Sequence, residues 1–435
     1  MRSLIRSPIN VMNAVNSVGF GNVSTGIEFR QQTLPNGLQI VAELMPGAYT
    51  AAFGYFVRSG ARDETDAQAG LSHFLEHMVF KGTSQRSAAQ VNRELDELGG
   101  QSNAYTSEEQ TVYYATVLPK YQRRIVDLLS DLMQPTLAPQ DFETERLVIL
   151  EEIAKYEDQP PFGAFERSME MRFGHQGLGR RILGTTQSIK TMTAAAMRSY
   201  FQQRYLPSNM VLAAAGNVDF EALVQQAGSL TAYWPTASAS DSLRFPACDQ
   251  PPADVQSPPL QRGDTSMAYV IRLADAPSST DPDHIAMRLL ATIIGDDSGS
   301  RFFWELIDSG RADAAATWTQ EFLDCGLFML YLSCDRNRLD GNLRLIDRIV
   351  SQVRQQGVTN EELEQAINKT TSGLVMHSER PGNRLFSLGS RWLMKQEYLS
   401  VDQTIAKYRQ VDVAAVQHVL ERFDLTTKIE VHADR

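Results

Sequence analysis

The chain has 435 residues, more than one hydrophobic core ordinarily organises, and the length implies about two or three domains. With 43% hydrophobic and 21% charged residues it has the composition of an ordinary globular protein, without the bias of a disordered one. A formal charge of −11 leaves no basic surplus for phosphates, so no nucleic-acid partner is expected, and no apolar run reaches the ~18 residues of a membrane span.

The first 27 residues lack any acid and carry Arg2 and Arg6, as organelle transit peptides do, but their irregular apolar spacing reads as a short N-terminal extension (1–27). From Leu34 to Glu43 a Pro-Asn-Gly turn leads into an apolar strand, and Thr50 to Val57 reads as its neighbour. Helical stretches follow, one beginning near Ala67 and one from Ala88 to Leu98 that is stopped by Gly99-Gly100. Thr111 to Leu118 is strand-like. Tyr121 to Gln134 and Pro139 to Tyr156 have helical periodicity, the second opening on a proline followed by acids. After a further helical region, Met210 to Ala215 returns to strand, and one more helix closes the half.

Residues 237–264 are rich in Pro, Ser, Asp and Gln and read as a linker between a first domain (28–236) and a second (265–435). The second half replays the first: strand Met267 to Arg272, helix Asp283 to Ile294, strand Gly326 to Cys334, helix Gly341 to Gln355, a helix from Asn360 onward, and strand Lys428 to His432. An internal duplication is the economical reading. The expected fold class is α+β, with two homologous domains, each a mostly antiparallel sheet with helices packed on one face. The three cysteines, Cys248, Cys325 and Cys334, form no close-spaced pair for metal or dithiol chemistry, and their scarcity fits a reducing compartment.

The chemistry concentrates in His73-Phe74-Leu75-Glu76-His77. On a helix, positions four apart share a face, so His73 and His77 can offer two imidazoles to one ion, while Glu76 stands near that face as a general base. Catalytic zinc takes three protein ligands and leaves a fourth position to water, so a third ligand is required. The helix from Phe142 to Glu152 supplies candidates: Glu145 and Glu152 lie two turns apart on one face, with Glu151 turned about 100° away. The second half has no such histidine pair, so one metal site per chain is expected. His175, His284, His377, His418 and His432 fall outside any ligand spacing.

The motif belongs to the inverted zinc-peptidase type. Together with Leu34-Pro35-Asn36-Gly37-Leu38, the run Gly70 to Thr83, Asn103-Ala104-Tyr105-Thr106-Ser107, Glu145 to Glu152, Leu178 to Gly184 and Asn209 to Asn217, it makes nearly the whole chain resemble the pitrilysin and insulinase family, in particular its short processing-peptidase members. The resemblance implies a zinc metalloendopeptidase in which His73, His77 and Glu152 bind one Zn2+ and Glu76 is the catalytic base. It implies further that Glu145 bonds a ligand imidazole from behind. It casts Asn103 and Ala104 as an edge strand that holds an extended peptide substrate, and Phe80 as a pocket wall after the scissile bond.

Many family members also carry, in the second half, an arginine and a tyrosine seven apart that help hold the substrate. Here Ile307 and Ala314 stand at those positions, with Arg301 and Arg311 nearby. The resemblance therefore implies a homodimer or a heterodimer in which a homologous subunit supplies the pair. A non-catalytic, structural or peptide-binding subunit of a larger assembly is the alternative. The compartment implied is the cytoplasm for a bacterial-type member, or the mitochondrial matrix.

Overall fold

The computed structural model describes residues 26–157, 160–236 and 266–434. The expected linker, 237–264, lies outside them, as does the expected N-terminal extension except for its last two residues.

Six strands build the first sheet: β1 (Glu28–Thr33), β2 (Gln39–Leu44), β3 (Ala51–Val57), β4 (Gln101–Thr106), β5 (Thr111–Val117) and β6 (Met210–Gly216). Their order is β1-β2-β6-β3-β5-β4, antiparallel except for the β2–β6 pair. The second sheet orders β7 (Met267–Ala276), β8 (Ala314–Glu321), β9 (Gly326–Asp335) and β10 (Ile429–Asp434) as β10-β7-β9-β8, antiparallel throughout. Two of these strands, β1 and β8, escape the sequence reading, and β4 is expected only through the family resemblance, at Asn103 and Ala104. β1 is an almost wholly exposed edge strand with no apolar alternation. β4 is exposed along its first half, and β8 is a half-buried edge of small and polar residues.

The first sheet carries, on one face, α1 (Leu71–Val79), α2 (Ala88–Leu98), α3 (Gln122–Leu132) and α4 (Pro139–Glu157). Leu71, Phe74, Leu75 and Met78 of α1 join Ile125 and Leu129 of α3 and Phe142 and Ile149 of α4 in one core against Ile40, Phe53 and Tyr55. This is the helical layer that the sequence reading expects.

The opposite face is covered as well. β3 and β6 are buried at every position, so a sheet covered on one face alone would leave Val41, Ala52, Phe56 and Val211 in water. Helix Pro381–Lys395, from the second half of the chain, lays Leu385, Leu388 and Leu393 over them. Gly389 permits the close approach, since a Cβ there would stand 2.3 Å from the Phe56 ring. On the same helix Arg384 meets Glu43 of β2, its Nε donating to Oε1 at 2.7 Å, with both side chains buried. The second sheet repeats the device: α5 (Pro160–Phe173) sends Ala164, Met169 and Met171 onto Ile271, Leu273, Met329 and Val431. Each half thus lends one helix to the other.

Candidate metal centre

α1 begins at Gly70, whose φ of +88° is natural to glycine and whose missing Cβ lets the chain lie against Leu183 and Gly184. The helix has no capping side chain of its own. Glu64, fully enclosed, accepts from the N–H groups of Gly70 (2.8 Å) and Ser72 (2.6 Å), and so satisfies two of the free donors at the helix start. Burial nevertheless pushes its carboxyl up to about 8, against those two bonds.

α4 is docked on α1 by an aromatic stack: the Phe74 and Phe142 rings lie 4.5 Å apart and 15° from parallel, both without exposure. That contact brings the acidic face of α4 over the two histidines, whose ring centroids are 4.6 Å apart. Glu152 Oε2 stands 3.8 Å from His73 Nε2 and 3.7 Å from His77 Nε2. Glu145 goes behind, its Oε1 2.8 Å from His77 Nδ1 and its Oε2 2.5 Å from Lys81 Nζ. Glu151 faces solvent.

Among the described residues, His73, His77 and Glu152 form the one group of three whose ligand atoms all lie within 4.8 Å of one another. A tetrahedral zinc with bonds near 2 Å needs ligand atoms about 3.3 Å apart, so the Glu152 contacts of 3.8 and 3.7 Å are too long for hydrogen bonds but within about 0.5 Å of that spacing. Charge supports the fit: Glu76, Glu145 and Glu152 against Lys81 leave two negative charges, which a dication neutralises.

Burial, and then the neighbouring His77, push the His73 imidazole down to about 3, so it is neutral and its Nε2 is free to ligate. Its Nδ1 is buried without a hydrogen-bond partner. His77 differs. Burial opposes its charge, but the bond to Glu145 and the carboxylates of Glu152 and Glu76 outweigh burial and raise its pKa. Glu145 is correspondingly held below the usual carboxylate range: burial works against its charge, and the bonds from His77 and Lys81 prevail.

Glu76 projects from the same helix face. Burial raises its pKa, opposed by Thr106, whose Oγ1 donates to Oε2 at 2.6 Å. Thr106 ends β4, which among the described residues has β5 as its only strand neighbour and so presents an open edge. Asn103 and Ala104 lie on that edge and line, with the histidines, Glu76 and Glu152, a cavity of about 600 Å³. Phe80 does not line this cavity; it follows α1 and packs on the first core, 6.1 Å from the Tyr113 ring. A second cavity, about 760 Å³, opens between the two halves and meets the first at Glu108.

In the second half, Ile307 packs against the core from a π-helical turn, Phe303–Asp308, and Ala314 opens β8; neither offers a hydrogen-bonding side chain. Arg301 is engaged by Glu362 at 2.8 and 3.0 Å, and Arg311 is exposed. Three residues about the centre escape the sequence reading: Glu64, Lys81 and the bonding role of Thr106. Lys81, one turn beyond His77, has a signal in its spacing. Glu64 has none, because its partners are backbone groups.

A family profile described as Insulinase (Peptidase family M16) matches residues 39–186, and one described as Peptidase M16 inactive domain matches residues 191–370. An uncharacterized zinc protease of Streptomyces coelicolor is 34% identical over 89% of this chain and 86% of its own length. A probable mitochondrial-processing peptidase subunit beta of Arabidopsis thaliana is 29% identical over 93% of this chain and 78% of its own. In fold, the crystal structure of a protease from Helicobacter pylori superposes with a TM-score of 0.85 at 18% identity, covering 94% of this chain and all of that one.

Proposed function

Because the chain belongs to the insulinase (M16) family of peptidases, we propose that it is a zinc-dependent endopeptidase acting on extended or unfolded peptides. The observation that carries this reading is the convergence of His73, His77 and Glu152 within 4.8 Å, beside Glu76 and an open strand edge. His73 Nε2, His77 Nε2 and Glu152 Oε2 hold one zinc ion. Zinc bound there polarises a carbonyl and lowers the pKa of water to about 7.

The chain's own residues do the rest. The open backbone of β4 at Asn103 and Ala104 pairs with the substrate main chain and holds it extended across the cavity. Thr106 occupies Glu76 Oε2, which leaves Oε1 to take a proton from the attacking water and return it to the leaving amine nitrogen. Burial raises the pKa of Glu76, which makes its carboxylate a stronger base toward that proton. The metal-bearing domain spans 28–236 and the second domain 265–435.

Ile307 and Ala314 deprive the second half of the substrate-binding pair, and we assign that pair to a homologous partner subunit. The same deficit, with the profile match at residues 191–370, favours a second reading, a peptide-binding subunit without catalysis of its own. Among the described residues no helix is long and apolar enough to cross a membrane; the bacterial cytoplasm or a mitochondrial matrix is the proposed setting. The test is Glu76→Gln. It should retain one zinc per chain and lose peptide hydrolysis by about a hundredfold or more, with wild-type activity rising when the partner is added. Zinc at one equivalent with no hydrolysis in the presence of the partner would favour the second reading; no zinc would refute both the metal site and the enzyme.

A further inference from the structure

We propose that Lys81 is a positioning residue of the metal centre, acting on His77 through Glu145; the inference rests on the zinc reading above. α1 proper ends at Val79, but the chain turns once more, with Phe80 N–H donating to the His77 carbonyl (3.2 Å) and Lys81 N–H to the Met78 carbonyl (3.1 Å). These tighter bonds bring Lys81, four residues after His77, back over the same face. Gly82, at φ +120°, then turns the chain away; a Cβ there would meet the Arg86 carbonyl at 2.9 Å.

The result is a continuous line: Lys81 Nζ to Glu145 Oε2 at 2.5 Å, Glu145 Oε1 to His77 Nδ1 at 2.8 Å, and His77 Nε2 facing Glu152. Glu145 Oε1 takes the hydrogen bond to His77, while Oε2, which has no hydrogen bond of its own, is drawn to Lys81 as an ion pair, so Lys81 settles which oxygen is left for His77. With Oε1 fixed on Nδ1, that nitrogen carries the proton and Nε2 presents its lone pair to the ion. The lysine is more than a surface pair, because its carboxylate partner is only 5% exposed and Lys81 is the one permanently charged group set against it. His73, whose Nδ1 has no such support, makes the backing of His77 the more consequential.

The experiment is zinc affinity by chelator competition on the full-length chain, with metal-free thermal stability as the control for folding. Lys81→Met should weaken zinc by about tenfold to a hundredfold, the range typical of groups that orient a ligand. Lys81→Arg should restore most of the loss. The double variant Lys81→Met/Glu145→Gln should bind no more weakly than Glu145→Gln alone, because the lysine acts only through the carboxylate. Wild-type affinity in Lys81→Met, or losses that multiply in the double variant, would overturn the inference while leaving the zinc site intact. A wild-type chain that binds no zinc would overturn the underlying reading, and this one with it.

Discussion

Replacing Arg384 by Met would test whether the exchanged helix is held to the metal-bearing sheet by a desolvated charge pair. The side chains of Arg384 and Glu43 are 5% and 1% exposed, so removing the arginine leaves a carboxylate with almost no access to water. Breaking such a pair costs about 3–5 kcal/mol, whereas replacing both members by apolar groups is roughly neutral. At about 1.4 kcal/mol per factor of ten, the single variant should open helix Pro381–Lys395 between about a hundredfold and a few thousandfold more often. Hydrogen exchange of the backbone amides in that helix reads the opening directly. Glu43→Met should do similar damage, and Glu43→Met/Arg384→Met should recover most of it. Exchange accelerated less than about tenfold in either single variant, or losses that simply add in the double variant, would refute the claim that the pair is uncompensated when broken.

Two further outcomes concern the site. In the metal-free chain His77 has a raised pKa, so the ion pair with Glu145 contributes stability fully below the ordinary value of 6.5 and loses it as pH rises through the raised one. Zinc needs the deprotonated ring, so its affinity should fall as pH drops through the raised pKa of His77, with up to one proton released per ion bound; calorimetry in buffers of different ionisation enthalpy would show it, and an affinity indifferent to pH with no proton released would count against the assignment. Thr106→Val removes the bond that stabilises the Glu76 carboxylate. The acid limb of the kcat/KM profile should then move to higher pH, and an unmoved limb would separate Glu76 from the proton transfer.

Legibility in the sequence followed the range of the interactions. The Pro-Asn-Gly turn before β2, the apolar runs of β3 and β6, and the stop after α2 at Gly99 (φ +58°) depend on neighbours in the chain, and all were readable. The cover on the back of each sheet was not, although β3 and β6 already carry the clue: an unbroken apolar run, rather than an alternating one, demands two covered faces. Which helix does the covering depends on the exchange between halves, and Leu385 and Leu388 read in isolation as an ordinary amphipathic stripe.

The spacing of His73 and His77 is local helix geometry, and the sequence by itself determined that two imidazoles would share a face with Glu76 beside them. It also limited the third donor to an acid on α4, with Glu145 and Glu152 on one face of that helix. Helix geometry leaves the two open and the family resemblance implies Glu152 as ligand with Glu145 behind; only the tertiary structure supplies the physical reason for that division. The tilt at which α4 crosses α1, set by the Phe74–Phe142 stack, brings Glu152 to the Nε2 atoms and puts Glu145 behind at Nδ1, between His77 and Lys81. That tilt is a property of side chains packed across 68 positions of sequence, which is the separation of His77 and Glu145, and no periodicity within either helix contains it.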